Sequence, residues 1–208
     1  YHSDRFEDFS LIVENDSKWI AVLPANKVDN EVFSHQGLTY GGLVYDEKLK
    51  LNAVIEIFKT LLNFLNYNGF KMLQLKLLPS FYANFPSDEL NYALFLADAK
   101  LIRRDTNAVI NLKQNFNLAK DRLRGIAKAN SFNLVVKEEA NFKLFWNEVL
   151  IPNLTVTHDA QPVHSLQEIE DLQKHFPTNI RQFNVYHDGK IVAGTTIFES
   201  NNAAHSQY

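Results

Sequence analysis

The residues from Ile180 to Tyr208 constrain this chain more than any other stretch. Two β-prone runs, 180–186 and 191–198, flank His187-Asp188-Gly189-Lys190, and a third short run follows Ser200-Asn201-Asn202. An Asp-Gly pair between such runs is a strong hairpin signal, because the tight turn needs positive φ and glycine supplies it without a Cβ clash. The Ser-Asn-Asn cluster marks a second reversal, so the spacing predicts three consecutive antiparallel strands. Gly194 falls inside the second of them. A strand-interior glycine weakens the strand and therefore marks a bulge or a close approach of another group to the backbone. Just upstream, Ser165-Leu-Gln-Glu168 has the form of a capping box, opening a helix whose Leu166, Ile169, Leu172 and Phe176 make one apolar stripe.

The N-terminal half carries its own version of this alternation. Phe9-Ser-Leu-Ile-Val-Glu and Trp19-Ile-Ala-Val-Leu-Pro24 are joined by Asn15-Asp16-Ser17-Lys18, which reads as a hairpin. Residues 34–45 read as a strand interrupted by Gly37, Gly41 and Gly42. Leu51, Val54, Ile55, Phe58, Leu61, Leu62 and Leu65 then recur at helical spacing, and Asn68-Gly69 supplies the C-cap. Residues 72–78 form a buried-type strand, a short helix begins near Ser87, and residues 101–112 give another strand. The pattern predicts a helix over 115–130, with Phe116, Ala119, Leu123, Ile126 and Ala127 on its apolar face and Lys120, Arg124 and Lys128 as a basic stripe beside it. Residues 132–137 start a second strand set, and residues 142–150 a helix that should end before Pro152.

Composition excludes several classes. With no cysteine, the 208-residue chain has no disulfide, zinc-thiolate site or thiol nucleophile. A net charge of −3 gives no general reason to expect DNA binding. The apolar runs fall short of the roughly 20 residues that cross a bilayer, and no signal peptide is visible, so membrane insertion is not expected and a cytoplasmic setting is. No Gly-x-Ser-x-Gly elbow and no Gly-x-x-x-x-Gly-Lys phosphate loop occurs. His158 and His164, six apart, match no metal-ligand spacing, and no metal is expected.

Helix followed by a three-strand meander with a glycine in its second strand is the order of GNAT acyltransferases. The wording resembles most the Fem-type (FemABX-like) tandem-GNAT transferases, through Pro162-Val-His-Ser-Leu-Gln-Glu-Ile, Asp188-Gly-Lys-Ile-Val-Ala-Gly and Ala204-His-Ser-Gln-Tyr. The resemblance implies an α/β (α+β) protein of two GNAT-like units with mixed, mostly antiparallel sheets flanked by helices. Residues 1–114 would form the first unit, 115–130 a bridging helix, and 131–208 a second, incomplete unit whose donor-binding loop lies beyond Tyr208.

The same resemblance implies transfer of an acyl or aminoacyl group, from acyl-CoA or aminoacyl-tRNA, to an amine of a small-molecule, glycan or peptide precursor of the cell envelope or a polysaccharide. Backbone groups of the last strand would face the donor, which points to Gln207 and Tyr208, and Gly194 of the second strand is assigned to donor binding with them. A histidine near neutral pH can take the proton of an acceptor amine, and the candidates are His164, His158 and His205. The first unit would hold the acceptor through His35, Thr39, Tyr40, Gly41 and Gly42, with Lys120 and Arg124 available to an anionic group. The plainer roles stand beside these: turn-shaping glycines, hydrogen-bonded structural histidines, and a solvated basic face. The alternative function is a non-catalytic GNAT-like binding or dimerisation module. An unpaired last strand invites another chain, and a homodimer is one outcome such an edge allows.

Overall fold

The computed structural model describes residues 4–208. It is a mixed α/β structure with three mostly antiparallel sheets, and the chain divides into two compact units, Tyr1–Arg104 and Asp105–Tyr208.

The first unit runs β1 (Glu7–Asp8), β2 (Leu11–Asn15), β3 (Lys18–Leu23), β4 (Asn26–Val28), β5 (Glu31–Ser34), β6 (Val44–Tyr45), α1 (Leu51–Tyr67), β7 (Met72–Leu75) and α2 (Glu89–Leu96). β2 and β3 form the expected hairpin, with Asp16 and Ser17 at positive φ in the turn, and β6 pairs on the far edge of β3. A second sheet has the order β1-β4-β5-β7, in which β5 and β7 are parallel neighbours joined through α1. Helix α1 ends at Asn68 with Gly69 at φ +82, the left-handed position that a C-cap glycine fills at no steric cost. Its buried stripe is Val54, Ile57, Phe58, Leu61 and Leu65, whereas Leu51 is exposed. Most of that stripe packs with Ala21, Leu23, Ala25, Val32 and Leu43 as one core.

Two expectations fail in this half. Residues 34–45 are not a strand: β5 stops at Ser34, and the chain loops until β6. The glycines are the reason, because Gly42 sits at φ +94 and Gly41 lies too close to another backbone segment for any side chain. Residues 101–112 are not a strand either. Leu101, Ile102, Val109, Ile110 and Leu112 are exposed, and a β-prone run becomes a strand only where a second strand offers its N–H and C=O groups.

The second unit contains α3 (Lys120–Asn130), β8 (Val135–Glu138), α4 (Phe142–Phe145), a π-helical turn (Trp146–Leu150), α5 (Ile151–His158), α6 (Leu166–His175), β9 (Ile180–His187), β10 (Lys190–Glu199) and β11 (Ala204–Ser206). Its sheet is fully antiparallel, in the order β11-β10-β9-β8. Asp188 at φ +48 and Gly189 at φ +77 make the β9–β10 turn, closing His187 against Lys190 as the sequence predicted. Ser165 accepts from Glu168 N–H while Glu168 accepts from Ser165 N–H, so the capping box is present and α6 begins there. Phe176, the last residue of the expected stripe, lies past the helix end and is exposed.

Helix α3 starts five residues later than expected, and Leu123 and Ile126 on its apolar face are exposed. β8 likewise begins three residues after Phe132. The larger correction concerns Pro152, which does not end the helix. Ile151 N–H reaches back five residues to Trp146 O, widening the helix by one turn of π geometry just before the proline. Pro152 lacks the N–H that would seek Glu148 O, so the wider turn carries the chain past it and on to His158. Phe142, Phe145, Trp146 and Leu150 from this long helix meet Ile169 and Ile180 in the second core. Burying side chains of this size stabilises by roughly 1.5–3 kcal/mol each. Among the described residues no helix is long and apolar enough to cross a membrane.

Candidate functional site

The first unit holds the roomier of two cavities. β5 and β7 run in parallel from Glu31 opposite Met72 to Ser34 opposite Leu75. Both strands therefore release their chains at the same end, the end at which open α/β sheets place ligands. β5 gives way to Ser34-His35-Gln36, and β7 to Lys76-Leu77.

The loop between them folds back over these ends. Gly41 N–H donates to Lys76 O at 2.6 Å, and Gly41 bridges in parallel register to Leu77. A Cβ on Gly41 would fall 1.8 Å from Ser34 O, so only glycine fits. Beneath the loop, the fully buried Asn26 clasps Gln36 twice. Its Oδ1 accepts from Gln36 N–H and its Nδ2 donates to Gln36 Oε1, both at 2.8 Å. Ser34 Oγ accepts from Lys76 N–H at 2.8 Å.

His35 is buried, with its ring edge-on to Phe6 at a centroid separation of 5.4 Å. Gly37 N–H donates to its Nδ1 at 3.0 Å. That bond uses the Nδ1 lone pair, so the neutral ring carries its proton on Nε2 and acts there as a donor. Lys76 Nζ donates to Leu38 O at 2.7 Å, which fixes the ammonium at the rim. The resulting cavity of about 260 Å³ is lined by Phe33, Ser34, His35, Gln36, Gln74 and Lys76. Among the described residues no carboxylate lines it. Of the residues expected to bind an acceptor, His35 and Gly41 come together here. Thr39 and Tyr40 lie on the same loop, Tyr40 against Tyr82 at 5.4 Å, and Gly42 forms the turn that follows.

The second unit gathers its polar groups differently. Gln182, Asn184 and Tyr186 lie on one face of β9, and Thr196 stands opposite Gln182 on β10. Thr196 Oγ1 donates to Gln182 Oε1 (2.6 Å) and Gln182 Nε2 to Asn184 Oδ1 (2.8 Å). Asn184 Nδ2 donates to Glu139 Oε1 (2.9 Å) and Asn141 O (3.1 Å), and Tyr186 OH donates to the same Glu139 oxygen. The Tyr186 hydroxyl, then the Asn184 amide, hold the Glu139 carboxyl below its ordinary range. The same bond, with burial, raises the Tyr186 phenol. Asn141 also caps α4, its Oδ1 accepting from Leu144 N–H, so the chain of bonds ties sheet to helix. Beside it lies a cavity of about 100 Å³ where Arg181 is already paired with Glu138 at 2.6 Å and, outside the lining, with Glu199 at 2.8 Å.

The histidines expected to be catalytic are not gathered into one site. His164 is buried: its N–H donates to Tyr208 OH at 2.9 Å, its Nδ1 lies 2.8 Å from that hydroxyl, and its carbonyl accepts from Trp146 Nε1 at 3.3 Å. Burial raises the Tyr208 phenol, which keeps it protonated and able to donate to Nδ1. His158 is exposed at the end of α5, and His205 is half-buried on β11 opposite Phe198. Gly194 faces the long helix, where a Cβ would fall 2.6 Å from Phe145 Cδ2; this is the close approach its position predicted. Gln207 N–H donates to Thr196 O, while its Oε1 is buried and meets no donor among the described residues. Lys120 and Arg124 are exposed on α3, Arg124 beside Asp121 at 3.4 Å.

Sequence reading missed Asn26, Ser34, Gln36, Gln74 and Lys76, and it missed the Glu139–Tyr186–Asn184–Gln182–Thr196 network. A signal for the network existed, because polar residues alternate with Arg181, Phe183 and Val185 at period two along β9. The class defined so far is a two-unit mixed α/β protein with a donor-lined cleft at the carboxyl ends of a parallel strand pair. No family model matches the chain, and no curated protein matches it.

Proposed function

We propose that the chain is an acyl- or aminoacyl-transferase of GNAT-like, Fem-type construction, acting on an amine of a cell-envelope or polysaccharide precursor. The observation that carries this reading is the cleft at the carboxyl ends of β5 and β7, where a strand–helix–strand crossover leaves backbone and side-chain donors beside a cavity of about 260 Å³. The helix-then-meander order of α6, β9, β10 and β11 adds the element sequence of an acyltransferase unit. On this reading Lys76 and Gln74 orient the acceptor, its amine attacks the acyl carbonyl of a CoA or aminoacyl-tRNA donor, backbone N–H groups steady the oxyanion, and the C–S or C–O bond then breaks so that the CoA thiol or tRNA ribose hydroxyl leaves with the proton the amine gives up. The decisive assay incubates the chain with acetyl-CoA, or with charged tRNA, and an amino-sugar or peptide acceptor, and follows amide formation by mass spectrometry. Product that Lys76→Ala reduces at least tenfold supports the reading; no product with either donor class removes it.

A non-catalytic binding module is the second reading. It is favoured by the state of His164, whose Nδ1 and backbone groups are all engaged with Tyr208 and Trp146. Ligand binding without turnover selects it.

A further inference from the structure

The two arginine- or lysine-bearing cavities differ in one respect that points to a ligand. Arg181, beside the smaller cavity, is neutralised by Glu138 and Glu199. Lys76, at the larger one, meets no carboxylate among the described residues, although its unit carries thirteen Asp and Glu against eleven Lys and Arg. Its ammonium is not swinging free, because one of its three N–H bonds is spent on Leu38 O. A cation fixed at a rim, with two donors to spare and no acid in the lining, is preorganised for an anion.

The rest of the lining narrows the ligand. Gln74 is half-buried, and its amide makes no hydrogen bond among the described residues. An amide both donates and accepts, which matches a hydroxyl; Gln36, whose Oε1 is taken by Asn26, adds its amide N–H groups and Phe33 an apolar wall. The volume of about 260 Å³ exceeds what a bare phosphate or carboxylate fills. We propose that this cleft binds an anionic sugar, with its phosphate or carboxylate against Lys76 and its hydroxyls on Gln74 and Gln36. As a statement about the acceptor this rests on the transferase reading; as a statement about binding it stands alone.

The test needs no acyl donor. Glucosamine 6-phosphate, glucuronate and, as the control without an anionic group, glucosamine are titrated into the ¹⁵N-labelled chain, and amide shifts are followed. The anionic sugars are expected to bind in the millimolar range or tighter and to move the amides of His35, Gly37 and Lys76, with glucosamine about tenfold weaker or worse. Lys76→Ala should cost the anionic sugars about tenfold or more, Lys76→Arg should restore most of that loss, and Gln74→Leu should weaken the sugars by a smaller factor. The tighter of the phosphate and the uronate identifies the anion. Equal binding of glucosamine, unchanged affinity in a folded Lys76→Ala chain, shifts confined to other residues, or no binding below about 10 mM would each overturn the proposal. Anionic-sugar binding with no amide product from any donor leaves this site standing and removes the transferase reading.

Discussion

The two units bury polar groups in opposite ways. In the second, Gln182, Asn184 and Thr196 are sealed between sheet and helix, and each finds its partners within the same chain of bonds, ending on Glu139. In the first, Asn26, Ser34 and His35 are buried too, but they brace the loop after β5 against the end of β7, and Gln36 of that loop lines an open cleft with Gln74 and Lys76 of the β7 segment. A polar network satisfied by itself fixes the register of sheet against helix. One that spends its bonds on positioning further donors prepares a surface for something else. That contrast is why the cleft, and not the denser network, carries the functional proposal.

The largest effect should come from Gly41→Ala. Its new methyl would meet Ser34 O, a backbone atom that cannot swing away, so the loop must leave the strand ends. A loss of about 3 kcal/mol or more in the first unit is expected, read by chemical denaturation, together with loss of any ligand binding in the cleft. Retained stability would mean the loop is not held as described. Asn184→Ala strikes the closed network instead. It leaves Gln182 Nε2 only the long contact to Phe183 O at 3.4 Å and removes a donor from Glu139, at about 2–3 kcal/mol, with hydrogen exchange rising in β8 and β9 and the cleft unaffected. Gly194→Ala pushes against the Phe145 ring, a side chain that can yield in part, and about 1–2 kcal/mol is expected.

Acid should separate the units further. The Glu139 carboxyl is held below its ordinary range by Tyr186 and Asn184, so its contribution is fully present above the unfolded value of about 4.3 and is lost as pH falls through the lower folded value. Glu139→Gln should flatten that acid-side loss in denaturation curves taken between pH 5 and pH 2; an unchanged slope would assign it to other carboxylates. The smallest effect belongs to Arg124→Ala. With Arg124 and Asp121 80% and 91% exposed, the change should stay within about 0.5 kcal/mol. A large loss there would show that α3 is anchored through its basic stripe.

Much of the local architecture was legible in the sequence. The Asp16-Ser17 and Asp188-Gly189 turns, the Ser165–Glu168 capping box, the Asn68-Gly69 helix end and the crowding at Gly194 were each marked by a few residues whose backbone chemistry permits little else. The failures were of another kind. Residues 101–112 have strand composition but no ladder, residues 34–45 keep ladder pairs only near their ends, and Pro152 has a breaker's chemistry but sits in a helix that widened ahead of it. The candidate site was half visible. His35 and the glycines stood out, whereas Lys76, 41 residues downstream, enters only because β7 lies parallel to β5.

By itself, the sequence determined where the chain turns, caps and pairs with its near neighbours, because those choices depend on φ, on side-chain-to-backbone hydrogen bonds and on short spacing. Tertiary structure alone decided that the polar face of β9 turns inward, that Gly41 closes on Ser34, and that Lys76 reaches the rim beside His35. These outcomes rest on which distant segments come into contact, and a hydrogen-bond donor acquires its role only when its partner, or the lack of one, is fixed in space.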